Sequence, residues 1–178
     1  RYGNIDIPTT QLNTWQTAGR GQNALLPHHT SLLIQANSTT TTSSTLVDQS
    51  GIGHTLTVSG AVHSQGKTNF GNTAIYFDGT NDKIAVGASP AGGPLDLESG
   101  DFSWECWFNT TTSSNDYLIG SYDGSSTGQN WGTRTLSGNI QSLAGDSSGT
   151  YYFNFTSAAD YNDGSWHHLA VARVGITA

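Results

Sequence analysis

The sequence is short of the residues that build helices and of charged residues. It contains no Met, only two Glu (Glu98 and Glu105), and a charged fraction of 11%. Long helices are rich in Ala, Glu, Lys, Leu and Met, so this composition disfavours them. Gly, Ser, Thr and Asn are abundant and 10% of the residues are aromatic, as expected for short strands joined by polar turns. The composition therefore predicts an all-β fold.

Positive charge is scarce and scattered. Six Lys and Arg stand singly along the chain against 13 Asp and Glu, which gives a formal net charge of −7. Nucleic-acid-binding proteins and basic membrane-surface helices both need clustered positive charge. No apolar run approaches the roughly 20 residues of a membrane-spanning helix. We therefore expect neither a nucleic-acid partner nor membrane insertion.

A single cysteine, Cys106, excludes an internal disulfide scaffold. It lies in an aromatic run, which favours the interpretation of a small buried hydrophobic residue. The cysteine count therefore does not indicate a redox compartment.

The first part of the chain is irregular, with isolated apolar residues and breakers such as Pro8 and Pro27. We predict an extended N-terminal arm or linker over 1–30 and one domain over 31–178. The apolar residues of the arm need a surface to pack on. That surface is either the domain itself or a neighbouring subunit, and in the second case the chain forms a homo-oligomer or a larger assembly.

Short apolar or alternating runs recur along the domain, each bounded by Gly, Asn, Asp or Ser. The first is the apolar run over 31–36. The later runs are DFSWECWFNT (101–110), YLIGSY (117–122), WGTRTL (131–136), NIQSLAG (139–145), TYYFNFT (150–156) and WHHLAVARV (166–174). The segment over 78–82, Asp-Gly-Thr-Asn-Asp, predicts a hairpin turn because Asp-Gly and Asn readily supply positive φ. Strands at this spacing predict a two-sheet antiparallel β-sandwich, preceded by the extended arm.

The run over 102–109 alternates strictly between two faces of its predicted strand. One face is expected to carry Phe102, Trp104, Cys106 and Phe108. The opposite face is expected to carry Ser103, Glu105 and Trp107.

Several short motifs follow one another in a fixed order over most of the chain. They are DQSGIGH (48–54), FG (70–71), YFDG (76–79), GDFSWECWF (100–108) and DGSWHHLAVAR (163–173). Together they resemble the laminin-G-like jelly roll of the concanavalin A-like lectin/glucanase superfamily, in the variant common in bacteriophage tail proteins and bacterial surface proteins. The resemblance covers residue 31 onwards and implies that the domain continues beyond residue 178.

The resemblance also implies a function. We expect a non-catalytic recognition or adhesion module, extracellular or on a virion surface such as a tail fibre, that binds a host-surface glycan or protein. The alternative is a structural decoration or assembly protein of a viral particle or extracellular filament.

Catalysis is not expected. Glucanases on this fold use two glutamates in a Glu-x-Asp-x-x-Glu motif, which Glu98 and Glu105 cannot form. The adjacent His167 and His168 point to opposite faces of a strand, so alone they do not make a two-ligand metal site.

Related domains bind calcium on a rim loop after the strand that corresponds to 117–122. Carried over by position, the resemblance points to Asp123 and Asn130 as ligands, with Asp146 as a third. Calcium prefers such carboxylate and amide oxygens. Ordinary turn chemistry is the alternative explanation of these residues.

On the same rim, Trp131 is the candidate stacking platform for a sugar, with Gln129 and Asn130 as polar neighbours. Tyr122 is a weaker aromatic candidate. A half-buried strand tryptophan is the alternative explanation of Trp131.

Overall fold

The computed structural model describes residues 30–87, 95, 97, 101–121, 130–145 and 150–174. These residues contain ten β-strands, and every strand pair is antiparallel, which confirms the predicted all-β sandwich class. None of the described segments is a helix long and apolar enough to cross a membrane. The chain divides into two compact units, 1–98 and 99–178. The arm over 1–30 stays a prediction, because residues 1–29 lie outside the described ranges.

The described strands of the first unit form one interrupted hairpin. Its strands are β1 (Leu56–Ser59), β2 (Val62–Ser64), β3 (Ala74–Tyr76) and β4 (Lys83–Val86). β1 pairs with β4 and β2 pairs with β3, so β1 and β2 form one leg and β3 and β4 form the other. The hairpin turn therefore lies over 65–73, and the hairpin turn predicted over 78–82 is wrong.

The segment over 78–82 nevertheless has the backbone conformation that its composition favours. The angle φ is 86° at Gly79 and 65° at Asn81. The Asp78 carboxylate accepts a hydrogen bond from the Thr80 N–H at 2.7 Å. These local features make the segment a bulge between β3 and β4 within one leg of the hairpin. They do not join two strands that pair with each other. Turn chemistry specifies local φ, whereas the strand partner depends on register over a longer range.

The side chain of Asp48 organises the turn over 48–54. Its Oδ1 accepts hydrogen bonds from the N–H groups of Leu33 (2.9 Å) and Ser50 (2.8 Å), and its Oδ2 accepts one from the N–H of His54 (2.7 Å). Partial burial raises the pKa of Asp48, but these hydrogen bonds outweigh it, so the pKa lies below its usual value. The predicted strand over 31–36 is reduced to one isolated bridge with Asp48. The ionised carboxylate thus ties this run to the turn.

We expect Asp48→Asn to lower the free energy of unfolding by about 1–2 kcal/mol at pH 7, because the amide replaces only part of the acceptor set. The pKa of Asp48 is depressed in the folded state. Its contribution is therefore complete above the unfolded-state pKa of about 3.9 and is lost as the pH falls through the folded-state pKa. Urea denaturation from neutral to acid pH measures this, and the difference between wild type and variant shrinks in acid. A difference that stays constant with pH would contradict the assignment.

A buried histidine, His63, holds the Ser/Thr-rich loop over 38–45 against the hairpin. His63 is 3% exposed, with Nδ1 3.1 Å from the Thr73 hydroxyl and Nε2 3.1 Å from the Thr45 carbonyl oxygen. The carbonyl can only accept, so Nε2 carries the proton and Nδ1 accepts from Thr73. His63 also exchanges backbone hydrogen bonds with the loop over 42–43. Its ring is fully used in holding the loop, which makes its role structural.

The described residues of the second unit form two sheets. The strands are β5 (Phe102–Asn109), β6 (Tyr117–Ser121), β7 (Asn130–Leu136), β8 (Asn139–Gly145), β9 (Tyr151–Thr156) and β10 (Trp166–Arg173). β5 pairs with β10, and the other four form a sheet in the order β6-β7-β8-β9. All six strands coincide with runs predicted from the sequence.

The two sheets of this unit pack through Trp104, which is 6% exposed. Its indole N–H donates to the Thr133 hydroxyl oxygen at 3.0 Å, and that hydroxyl also lies 2.8 Å from the Ser142 hydroxyl. The indole ring lies 5.1 Å from the rings of both Phe102 and Trp131. Thr133 has no exposed surface, so water cannot replace these hydrogen bonds.

We expect Trp104→Phe to lower the free energy of unfolding by about 1–3 kcal/mol, because it removes the indole donor from the buried Thr133 hydroxyl and opens space in the core. The matched control is Trp107→Phe, the same change on the opposite face of the same strand, where the side chain is 46% exposed. It is expected to cost less than about 1 kcal/mol. Chemical denaturation measures both, and equal losses would contradict the assigned orientation of β5.

Candidate functional site

The rim predicted from the sequence lies mostly outside the described residues. Tyr122, Asp123, Gln129 and Asp146 all fall there. Asn130 is the first residue of β7 and pairs with Gly145. Within the described ranges, no group of three or more His, Cys, Asp or Glu side chains is placed to hold a metal ion. The calcium site at Asp123, Asn130 and Asp146 stays a prediction.

Trp131 lies in β7 and is half-buried. Its ring centroid is 5.1 Å from that of Trp104, with the ring planes tilted by 38°. Its strand partner is Ala144 on β8, which is 6% exposed. This packing matches the alternative interpretation of Trp131 as a half-buried strand residue, and stacking of a sugar on it stays a prediction.

The outward face of the β5–β10 pair carries a different group of aromatic and polar side chains, which we call the Trp107 face. The predicted alternation of β5 is confirmed, since Trp104 and Phe108 are buried while Ser103, Glu105 and Trp107 are exposed. The register sets His168 opposite Trp107, Ala170 opposite Glu105 and Ala172 opposite Ser103. The members of the Trp107 face are Ser103, Glu105, Trp107, His168, Ala170 and Ala172.

Three side chains on this face carry its chemistry. The His168 ring lies 4.9 Å from the Trp107 ring, and its Nε2 lies 3.4 Å from the Glu105 carboxylate. The side chains of His168 and Glu105 are 40% and 73% exposed, so their attraction is worth no more than about 1 kcal/mol. The weak pairing leaves both groups able to bind a ligand. Next to them lie the small, exposed side chains of Ala170 and Ala172.

The turn over 163–165 positions the start of β10 beside β5 through several hydrogen bonds. The Asp163 carboxylate accepts hydrogen bonds from the Ser165 N–H (2.8 Å) and from His167 Nε2 (2.9 Å), and the bond from His167 lowers the pKa of Asp163. Gly164 has φ of 76°, which favours glycine, and its carbonyl accepts from the Asn109 side-chain amide at 2.6 Å. His167 therefore supports the strand from the inward side.

The two adjacent histidines thus have separate roles. His167 packs inward near Phe108 and Tyr161, at ring distances of 5.7 and 5.0 Å. His168 points outward to the Trp107 face. The prediction that they face opposite sides of the strand is confirmed.

Glu105 is the one glutamate among the described residues, and its ionic partner is the His168 imidazole. Glycoside hydrolysis needs a second carboxylate across the sugar ring. Among the described members of this face Glu105 is the one carboxylate, and the face has the groups for binding a ligand through hydrogen bonds and ring stacking.

Cys106 lies between Glu105 and Trp107 in sequence but points to the inward side of β5. Burial, with a smaller contribution from the Glu105 charge, raises the pKa of its thiol to about 11. The sequence predicts a small buried hydrophobic residue at this position, and Cys106 is half-buried. The thiol is therefore protonated at neutral pH and is not a nucleophile there.

We expect iodoacetamide to alkylate Cys106 at pH 7 more than about 100-fold more slowly than a free cysteine of pKa about 8.5, since only the thiolate reacts. Mass spectrometry of timed samples measures the rate. Denaturant is the control, because unfolding restores ordinary reactivity. Equal rates in the native and unfolded protein would contradict the buried environment.

The fold defines the protein as an antiparallel β-sandwich, and the family that matches it supports a carbohydrate- or ligand-binding module in general. The chain belongs to the laminin-G-like family Laminin_G_3 of the concanavalin A-like lectin/glucanases superfamily, whose model matches residues 78–177, more than half of its length. Domains of this family are typically non-catalytic. Neither a curated protein nor a solved structure matches the chain.

Sequence reasoning did not find the Trp107 face as a site, although parts of the pattern were present. Alternation correctly places Glu105 and Trp107 on one side of β5. Because His167 and His168 are adjacent in a predicted strand, one of them must point outward, but the sequence does not specify which one. The pairing of Trp107 with His168 depends on the β5–β10 register, which no local pattern specifies.

Proposed function

We propose that this chain is a non-catalytic recognition module that binds a surface glycan through the Trp107 face. The observation that carries the proposal is an indole, 46% exposed, held beside an imidazole and a carboxylate on one paired strand ladder. Tryptophan is enriched at binding interfaces, because its ring offers a large apolar surface together with a polar N–H. The lectin-like family supports a carbohydrate or other ligand in general.

The three side chains supply complementary contacts to a sugar. The negative face of the Trp107 ring attracts the weakly positive C–H groups on one side of a pyranose. The Glu105 carboxylate accepts charge-assisted hydrogen bonds from hydroxyl groups, and a neutral His168 offers one donor and one acceptor. Along β5, the Cα atoms of Glu105 and Trp107 are about 7 Å apart, since each strand residue rises about 3.3–3.4 Å. A monosaccharide can therefore reach both side chains.

The location and partner of the module are also proposals. The resemblance to domains of bacteriophage tail proteins and bacterial surface proteins supports an extracellular or virion-surface module that acts in adhesion to a host-surface glycan. Decoration or assembly of a particle is the alternative, and it depends on an arm over 1–30 that lies outside the described residues, apart from residue 30. Oligomerisation through that arm stays a prediction.

We expect Trp107→Ala to weaken glycan binding by about tenfold or more, because the stacking contact is lost. A glycan array with the full chain identifies the ligand, and titration calorimetry with that ligand measures the loss. Trp107→Phe retains a smaller ring and should fall between wild type and Trp107→Ala. The matched control is Tyr152→Ala, which removes a 60% exposed aromatic residue from β9 and should leave binding unchanged.

Circular dichroism of each variant separates loss of binding from loss of fold. Wild-type affinity in a folded Trp107→Ala variant would refute the assignment of the site. A variant that keeps glycan binding but alters self-association, measured by analytical ultracentrifugation, would instead identify the face as a protein contact. Repeating the array with calcium and with a chelator tests the predicted calcium site independently.

A further inference from the structure

We infer that the Trp107 face selects uncharged glycans and rejects those that carry carboxylate or sulfate groups. This inference rests on the proposed glycan-binding function and adds the chemical class of the ligand. It is carried by the charge of the face and by the positions of the arginines in the same unit.

The Trp107 face contains one ionisable acid and neither Lys nor Arg. Glu105 stands with 73% of its side chain exposed, and its neighbours Ser103, Ala170 and Ala172 are small and uncharged. The imidazole of His168 is charged only when protonated. An acidic sugar placed on Trp107 would therefore meet the Glu105 carboxylate, and none of the described members of this face is a Lys or Arg.

The two described arginines of the second unit are engaged elsewhere. Arg173 is on the inward side of β10, with its guanidinium 4.5 Å from the centre of the Phe102 ring. Arg134 lies in β7 of the other sheet, where its Nε donates to the Gln141 side-chain oxygen at 2.6 Å and its guanidinium lies 5.9 Å from the Tyr117 ring. Neither side chain belongs to the Trp107 face. A chain with a formal net charge of −7 adds a repulsive field to the local one.

Glu105 thus has two effects on a bound sugar. Its carboxylate accepts hydrogen bonds from the hydroxyl groups of a neutral hexose, which makes it a specificity group for uncharged rings. The same charge repels a sialic acid, a uronic acid or a sulfated sugar, because two like charges close together at a surface raise the free energy of the complex. Specificity of this kind combines an attractive contact with a repulsive one.

The test compares pairs of glycans that share one neutral core and differ by a terminal sialic acid or a sulfate group. For the wild-type chain at low salt we expect the neutral member to bind about tenfold or more tightly. Raising the ionic strength should shrink this ratio, since salt screens exposed charges. Glu105→Gln keeps the size and hydrogen-bonding ability of the side chain, so it should bring the ratio close to one while Trp107 still binds the core.

The outcomes separate the two proposals. Equal or tighter binding of the acidic member by the wild-type chain overturns the selectivity and leaves glycan binding standing. An unchanged ratio in Glu105→Gln overturns the role given to Glu105. No binding of any glycan, by a chain that circular dichroism reports as folded, overturns the function itself and the selectivity with it.

Discussion

The buried indole of Trp104 has a polar N–H that must find an acceptor inside the second unit, because buried polar groups are costly when unpaired. Thr133 on β7 supplies that acceptor, and Ser142 on β8 lies beside it. This contact aligns the four-stranded sheet with β5. Since side chains alternate with a period of two, directing Trp104 inward directs Glu105 and Trp107 outward. The outward orientation of the candidate binding face thus follows from the hydrogen bonding of Trp104 in the core.

Paired polar groups compensate for a chain that is only 34% apolar. The largest fully buried side chains are Thr73, Thr133 and Thr135 among the described residues, and each is hydrogen-bonded. In the first unit, His63 and the carboxylate of Asp48 hold loops in the same way. Interior hydroxyl groups are tolerated where each one has a partner, because the desolvation penalty is then offset. The fold therefore depends on specific hydrogen bonds as well as on apolar burial.

The proposed binding groups and the supporting contacts lie on opposite sides of one strand pair. The inward side packs and carries a protonated thiol, Cys106, while the outward side carries the exposed indole, imidazole and carboxylate. The turn at Asp163 and the inward His167 hold β10 against β5, so His168 is presented at a defined place. A site on rigid strands needs little ordering when a ligand binds, which favours affinity in a small, open contact. Recognition by a lectin-like domain fits this arrangement.

The sequence by itself determined the all-β class, all six strands of the second unit, the two faces of β5 and the positive φ of Gly79 and Asn81. These follow from composition, period and turn chemistry, which act over a few neighbouring residues. Only the tertiary structure decided which strands pair, that the segment over 78–82 is a bulge, and that His168 lies opposite Trp107. It also decided that Trp131 packs on Trp104. Such contacts join residues far apart in the chain, so they depend on register and on the packing of whole sheets, and local patterns do not specify them.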